Sequence, residues 1–308
     1  MKGLELCEQY FRQCGLPALE AECGQHVSKM AIGLVGDGSE CLGFDDEHSR
    51  DHDWGPGFCI WLTKEDFVEI GPEIQKVYES LPKSFAGFEA RMTSQWGDGR
   101  VGVLEMGSFY QRYLGSPGAP ETLSQWLVIP ENALAMATNG NVFHDPKGSF
   151  TAIRNSLLDC YPEDVRLKKL AAQCMSAGRE GQYNYPRCLK RNELYAAAQA
   201  EMQFLKSALS IVFLLNKTYL PFYKWAHRAV KVLPILGNDS YDAIAELMEM
   251  NSPKDKEIRL ESFAKKIIAQ LKELGLSEGE SDFLPDHGPL IQECIRDEEM
   301  RSYSVWMG

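Results

Sequence analysis

The chain has no hydrophobic run long enough to cross a bilayer. The longest candidate, Ala208 to Leu215, is interrupted by Ser210 and ends at Asn216, whereas a transmembrane helix needs roughly 18 or more apolar residues in succession. No basic segment followed by an apolar one precedes Leu4, so no secretory signal is predicted. We therefore expect a cytoplasmic protein that makes no contact with a membrane.

Basic residues are scarce relative to acidic ones. The chain has 32 Lys and Arg against 44 Asp and Glu, which gives a formal net charge of −12. Because nucleic-acid backbones are bound by clustered Lys and Arg side chains, this balance disfavours a long nucleic acid as a partner. The acidic surface is compatible with a cationic small molecule.

Cysteine pairs with the spacing of a metal site or a redox motif are missing. The nine cysteines are an odd number and contain no CxxC pair, so they predict reduced, mostly structural thiols and no zinc site. With 44% apolar and 25% charged residues over 308 positions, the composition is typical of a globular protein that is long enough for two domains.

Apolar runs bounded by glycine or turn residues alternate with helical patterns in the first half of the chain. Pro72 predicts the first turn of a helix that extends to Leu81, and beyond Phe150 long helical periods dominate. The pattern predicts an α/β (α+β) fold, with a mixed sheet and packed helices in residues 1–150 and a helical bundle in residues 151–308. The predicted strands are Met30 to Val35, Phe58 to Leu62, Arg100 to Met106 and Asn141 to His144.

Two short segments in the first half carry residues suited to phosphate and metal chemistry. Gly36-Asp37-Gly38-Ser39 follows the first predicted strand, and Asp51-His52-Asp53 follows it after a gap of eleven residues. Gly38 allows the backbone to approach a triphosphate closely, and the hydroxyl of Ser39 donates to phosphate oxygens. We expect Asp51 and Asp53 to lie at the start of the second strand, where residues at i and i+2 share one face, and to hold Mg²⁺.

These residues resemble the signature of the DNA polymerase beta-like nucleotidyltransferase superfamily, in which an apolar residue and a Gly-Gly or Gly-Ser pair precede Asp-x-Asp or Asp-x-Glu. Val35-Gly36, Gly38-Ser39, Asp51 and Asp53 match this signature, whereas His52 stands where an apolar residue is usual. Within the superfamily, the chain looks most like the aminoglycoside nucleotidyltransferases and their uncharacterised two-domain relatives. The likeness to those relatives extends through Val142 to Pro146 and Leu215 to Trp225.

The resemblance implies an activity and its cofactors. A nucleoside monophosphate, most simply AMP from ATP, is transferred to a hydroxyl of an acceptor. One or two Mg²⁺ ions on Asp51 and Asp53 hold the triphosphate, Gly38 and Ser39 contact its phosphates, and the helical domain closes over the cleft. The acceptor is left open between a small molecule and a protein.

Many members of this superfamily have a third carboxylate on a neighbouring strand, where it binds metal or accepts the proton of the attacking hydroxyl. The predicted strand from Arg100 to Met106 contains one acid, Glu105. Side chains alternate along a strand, so Glu105 serves this role only if Val101, Val103 and Glu105 face the site. A catalytic carboxylate and an ordinary strand-end residue are both open interpretations, and we predict the first.

A cluster of basic and aromatic residues marks the second half. Lys217, Lys224 and Arg228 are spaced by seven and four residues, which places them on one face of a continuous helix, although Pro221 interrupts it. We predict that the three cations and Tyr219 contact the nucleotide, through its phosphate oxygens and by stacking on its base. The alternative is a solvated helix face with aromatic residues in the core.

Two other functions stay open. A nucleotide-binding or partner-binding protein that keeps the fold without turnover fits the absence of an unambiguous third acid. A metal-dependent phosphohydrolase is suggested by His52-Asp53, although such sites lie on helices and Trp54-Gly55-Pro56-Gly57 does not continue a helix.

Overall fold

The computed structural model describes residues 1–50, 53–91 and 100–308, so Asp51 and His52 lie outside the described chain. Within these ranges the contacts between residues divide the chain into two compact units. The first unit contains residues 1–120 and 133–159, and the second contains residues 121–132 and 160–308. The boundary predicted at residue 150 falls inside a helix of the first unit, Ser149–Leu158.

Short strands and helices alternate up to residue 160, and helices follow. The strands are β1 (Ala31–Leu34), β2 (Cys59–Leu62), β3 (Ser84–Phe85), β4 (Phe88–Glu89), β5 (Gly102–Glu105) and β6 (Asn141–His144). The earlier helices are α1 (Gly3–Tyr10), α2 (Leu16–Cys23), α3 (Lys64–Ser80), α4 (Met106–Leu114), α5 (Leu123–Val128), α6 (Glu131–Thr138) and α7 (Ser149–Leu158). The later helices are α8 (Glu163–Ala177), α9 (Tyr185–Lys190), α10 (Leu194–Leu215), α11 (Tyr223–Val230), α12 (Gly237–Glu249), α13 (Pro253–Glu273), α14 (Leu284–Glu293) and α15 (Glu298–Ser302).

Four of the strands form one mixed sheet in the order β5-β2-β1-β6. Strand β1 pairs antiparallel with both β2 and β6, and β2 pairs parallel with β5. The predicted mixed sheet is therefore confirmed, and each predicted strand is present with its ends shifted by at most two residues. These directions place the end of β1 beside the starts of β2 and β5, at one edge of the sheet.

The two faces of the sheet are covered by different apolar groups. Ile60 and Leu62 of β2 belong to a core that includes Ile74 of α3. Trp61 lies between them in sequence and points to the other face, where it stacks on Phe150 of α7 with ring centres 3.9 Å apart. Because both faces of the sheet are buried, the sequence of β2 is a continuous apolar run and does not alternate between apolar and polar residues.

Helix α3 begins earlier than predicted. We expected it to begin at Pro72, but it spans Lys64–Ser80 and contains Pro72 in its interior. Its start is set by Thr63, whose hydroxyl accepts a hydrogen bond from the backbone N–H of Asp66 at 3.3 Å. An interior proline removes one hydrogen bond, and this N-cap together with the burial of Ile74 keeps the helix intact.

The cysteines are thiols. All nine lie within the described residues, and none forms a disulfide. Burial raises the pKa of Cys59 to about 12, so this thiol stays protonated at neutral pH.

The second unit is built from helices. Helix α8 packs against α10 and α14, and a smaller apolar cluster joins Val212 and Phe213 of α10 to Val230 of α11. The helical character predicted for the second half is confirmed. Across the described ranges, no helix is both long and apolar enough to cross a membrane.

Glu105 ends β5 and caps the helix that follows it. Its carboxylate accepts hydrogen bonds from the backbone N–H of Gly107 at 2.7 Å and of Ser108 at 2.6 Å, and from the Ser108 hydroxyl at 2.5 Å. Partial burial opposes the charged form, but these hydrogen bonds outweigh it and lower the pKa of the Glu105 carboxyl. The side chain is therefore the N-cap of α4.

We expect Glu105→Ala to lower the free energy of unfolding by about 1 kcal/mol at neutral pH, because two backbone donors of α4 lose their acceptor. This contribution is present above the pKa of an unfolded Glu, about 4.3, and is lost as the pH falls through the lower pKa of the folded protein. Urea unfolding from acidic to neutral pH measures it. Glu105→Asp keeps a capping carboxylate and is the control; equal losses in both variants would contradict the N-cap role.

Candidate functional site

Three polar segments meet at one edge of the sheet. The loop Gly36-Asp37-Gly38-Ser39 leaves β1, Asp53 precedes β2, and Arg100 precedes β5. Because β1 is antiparallel to β2 and β2 is parallel to β5, the end of the first strand and the starts of the other two are neighbours. The sheet therefore brings a glycine-containing loop, an acid and a basic side chain together.

The backbone of the loop depends on glycine and on Asn139. Gly36 and Gly38 have φ angles of 116° and 128°, which residues with a Cβ rarely adopt. A Cβ at Gly38 would also collide with the guanidinium of Arg100 and the carboxylate of Glu40. The Asn139 amide donates to the carbonyl of Gly36 and accepts from its N–H, both at 2.8 Å, which fixes the loop.

Glu40 and Arg91 form a buried ion pair beside this loop. The Glu40 carboxylate lies 2.7 Å from Nη1 of Arg91, and the two side chains are 3% and 6% exposed. Arg91 also donates to the carbonyl oxygens of Asp53 at 3.0 Å and Gly55 at 3.1 Å. A buried guanidinium needs such acceptors, and Arg91 thereby ties the loop to the segment that carries Asp53.

Arg100 connects the loop with both neighbouring carboxylates. It donates to the carbonyl of Asp37, and it lies 3.4 Å from Oε1 of Glu40 and 3.7 Å from Oδ2 of Asp53. These side chains are largely buried, so water and salt screen their charges little. Arg91 and Arg100 together balance the two carboxylates at this edge.

Asp53 does not have the extended backbone that was expected. Its φ is 51°, in the left-handed region, which aspartate tolerates better than most residues. Strand β2 begins only at Cys59. The predicted placement of Asp51 and Asp53 at i and i+2 of a strand is therefore corrected: Asp53 lies in an irregular segment before β2, and Asp51 lies outside the described residues.

The polar side chains of the loop differ in their contacts. The carboxylate of Asp37 accepts from Arg112 at 2.7 Å and from the hydroxyl of Tyr113 at 3.1 Å. Ser39 is partly exposed, and its hydroxyl makes no hydrogen bond to another residue that the structure describes. Arg112 is half exposed. The loop thus presents a hydroxyl with a guanidinium close by, and phosphate oxygens accept from both.

The carboxylates of this edge do not by themselves form a metal site. In residues 1–50, 53–91 and 100–308, no group of three or more His, Cys, Asp or Glu side chains is arranged to hold a metal ion. Asp53 is 8% exposed and paired with Arg100, and Glu40 is paired with Arg91. Because Mg²⁺ requires several oxygen ligands in near-octahedral geometry, the described residues alone do not fit it, and the predicted site depends on Asp51.

Glu105 lies at the opposite end of β5 from Arg100. Val103 pairs with Ile60 and packs against the apolar core, so the odd-numbered residues of β5 face that core. Arg100 and Glu105 are five positions apart, or about 16 Å along an extended strand. Glu105 therefore lies at the opposite edge of the sheet from Asp53, where it caps α4. A third catalytic carboxylate was expected beside Asp53.

The basic and aromatic cluster of the second unit does not share one helix face. Lys217 lies in a turn after α10, with a φ of 50°. Tyr219 is 8% exposed and packs edge-on against Tyr161 with ring centres 5.1 Å apart, so its ring belongs to the core rather than to a surface on which a base stacks. Lys224 and Arg228 do lie four residues apart on α11, and both are exposed.

Sequence patterns missed Glu40, Arg91, Arg100 and Arg112. The contacts of Glu40 with Arg91 and Arg100 join residues 51 and 60 positions apart, and no spacing rule connects such distant residues. One signal was available for Arg100, which begins the third predicted strand and is therefore near the loop once the strand directions are known.

Comparisons with known proteins show distant similarity. A family model described as "Domain of unknown function (DUF4037)" matches residues 126–226, which is less than half of the chain. Among solved structures, the chain is similar to a nucleotidyltransferase-like protein from Exiguobacterium sibiricum 255-15, with 13% identity over 89% of this chain and 81% of that one and a TM-score of 0.35. No curated protein matches. A likeness this distant does not bear on function.

Proposed function

We propose that this protein is a nucleotidyltransferase that moves a nucleoside monophosphate, most simply AMP from ATP, to a hydroxyl of a small-molecule or protein acceptor. The observation that carries the proposal is the glycine loop at the end of β1, held at one edge of a mixed sheet with Asp53 and Arg100. Six residues carry the sequence resemblance, and all of them except Asp51, which lies outside the described residues, belong to this edge.

The groups of the loop suit phosphate. The Ser39 hydroxyl and the half-exposed Arg112 are donors that a phosphate oxygen accepts. The Nε–H of Arg100 is buried and has no acceptor among the described residues, and an unsatisfied buried donor costs about 1–3 kcal/mol. An anionic group at the loop would supply acceptors. We further propose Lys224 and Arg228 as contacts of the triphosphate.

In the proposed reaction, the acceptor oxygen forms a bond to the α-phosphorus, the bond from that phosphorus to the bridging oxygen breaks, and pyrophosphate leaves while the hydroxyl proton passes to solvent. Magnesium held by Asp51 and Asp53 would neutralise the charge of the triphosphate. The loop orients the phosphates for this displacement, and orientation is a large part of catalysis in phosphoryl chemistry.

A second candidate is a nucleotide-binding or partner-binding protein of the same fold without turnover. Two observations favour it: Asp53 is paired with Arg100, and Glu105 is used as a helix cap. Both acids therefore have partners within the protein that compete with a role in transfer. Nucleotide binding by the unmodified protein without release of pyrophosphate is the result that distinguishes this candidate.

We expect transfer by the double variant Asp51→Asn/Asp53→Asn to fall at least about a hundredfold, because metal-held charge stabilisation is worth several kcal/mol. Labelled ATP, GTP, CTP and UTP, each incubated with Mg²⁺ and a cell extract, measure the transfer. The label then identifies the acceptor as a small molecule, a protein or an RNA. Asp46→Asn removes an exposed acid and is the control. Transfer that survives in the double variant would contradict the proposed site.

We expect Lys224→Ala to weaken ATP binding about threefold to tenfold without loss of folding, because one charge-assisted contact of an exposed lysine is worth about 1 kcal/mol. Isothermal calorimetry measures the affinity, and the melting temperature checks the fold. Lys254→Ala, which removes an exposed lysine of α13, is the matched control. Equal affinity in Lys224→Ala and the unmodified protein would show that Lys224 does not contact the nucleotide and belongs to a solvated helix face.

A further inference from the structure

A cavity of about 550 Å³ lies within the second unit, among α8, α10, α11 and α12. Pockets that hold small molecules have volumes of roughly 300–1,000 Å³. The rings of Phe222 and Tyr223 line it with their centres 4.4 Å apart, and both side chains are exposed. Most of its other walls are apolar: Leu205, Leu209, Leu220, Ala226, Ile244 and Met248.

One side-chain carboxyl group, that of Glu131, lines this largely apolar cavity. Its two oxygens accept from the hydroxyl of Ser210 at 3.0 and 2.8 Å. Within the described ranges no Lys, Arg or His side chain forms an ion pair with it. Burial raises the pKa of Glu131 to about 7, although the Ser210 hydrogen bond and the charge of Lys169 act in the other direction. No cation is therefore in contact with the carboxylate, although the charges of Lys169 and Lys206 both favour its ionised form.

The ammonium of Lys169 is directed to other partners. It donates to the carbonyl oxygens of Leu127 at 2.8 Å and Ile129 at 3.4 Å, and it lies 5.3 Å from the ring centre of Tyr161. Two carbonyl dipoles thus offset its charge, and it is farther from Glu131 than an ion pair allows.

The other titratable groups around Glu131 that the structure describes form no ion pair with it. Lys206 is exposed, so water screens its charge. The ring of His227 has Nε2 at 2.9 Å from the carbonyl of Tyr241 and stacks on that tyrosine. Burial raises the pKa values of Tyr161 and Cys160, so both stay protonated at neutral pH.

We propose that this cavity binds a small amphipathic amine, whose apolar body fills the apolar walls and whose ammonium pairs with the carboxylate of Glu131. A partly buried carboxylate in an apolar wall with no cation in contact is unfavourable, and the ligand supplies that cation. The rings of Phe222 and Tyr223 offer their faces to the body of the ligand or to its cation. A polyhydroxylated cation does not suit these walls. The residues that line this cavity are different from those proposed to contact the nucleotide.

Three indoles of similar size test the preference for positive charge: tryptamine carries an ammonium, tryptophol a neutral hydroxyl and indole-3-propionate a carboxylate. Saturation-transfer NMR and calorimetry on the full chain measure their affinities. We expect tryptamine to bind about tenfold more tightly than tryptophol at mildly alkaline pH, which is the value of a hydrogen bond between charged groups. Indole-3-propionate should bind most weakly.

The pH dependence of tryptamine binding identifies its partner. The ligand stays charged below about pH 10, as lysine does, so its affinity should rise through about pH 7 as Glu131 ionises. Glu131→Gln keeps the shape and the acceptor for Ser210, and should make binding weak and independent of pH. Because His227 also lines the cavity, the Glu131→Gln variant is needed to assign the pH dependence of binding to Glu131. Ser210→Ala removes a bond that lowers the pKa of Glu131 and should move the rise to higher pH.

The control is Glu249→Gln, which removes an exposed carboxylate at the end of α12 and should leave tryptamine affinity unchanged. Melting temperatures without ligand check that each variant folds. If Glu131→Gln does not fold, the pH profile of Ser210→Ala still tests the proposal. Equal affinities for tryptamine and tryptophol, tighter binding of indole-3-propionate, or a Ser210→Ala profile that does not move would each overturn the proposal.

Discussion

The edge of the sheet at which β1 ends depends on one buried carboxylate, that of Glu40. It is paired with Arg91 and shared with Arg100. Removing one partner of a buried ion pair costs about 3–5 kcal/mol, because the remaining charge has neither water nor a counter-ion. Through Arg91 this carboxylate holds the segment that carries Asp53, and through Arg100 it holds the glycine loop. Strand pairing brings the loop and the acid to the same edge of the sheet, and these side-chain charges hold them there.

The same cluster explains Gly38. A glycine in a loop of this kind is expected to admit a phosphate group, but here the absence of a Cβ admits the guanidinium of Arg100 and the carboxylate of Glu40. The cluster is close to electrically neutral, since two guanidinium groups face the carboxylates of Glu40 and Asp53. Under the proposed function, a triphosphate adds several negative charges to a balanced and poorly screened site, so a cation that accompanies the nucleotide restores the balance.

The sequence predicted the sheet well because its strands are short apolar runs bounded by glycine or turn residues, and burial on both faces makes such runs continuous. It predicted helix α3 less well. Pro72 is a local start signal, but the N-cap at Thr63 and the packing of Ile74 prevailed over it. The backbone of Asp53 was not predictable, since its left-handed conformation accompanies a hydrogen bond to Arg91, 38 positions away.

Glutamate side chains show why the site was harder to predict than the fold. Glu105 was the expected catalytic acid because of its place in a strand, yet its use as an N-cap follows from residues two and three positions later. No sequence pattern marks Glu40 or Glu131, because their partners Arg91 and Ser210 are 51 and 79 positions away. Their environments then separate them. Glu40 lies between two guanidinium groups that balance its charge, so it is structural, whereas Glu131 faces a cavity and accepts hydrogen bonds from a hydroxyl. Whether such an acid is structural or available to a ligand depends on its tertiary contacts, which its position in the sequence does not show.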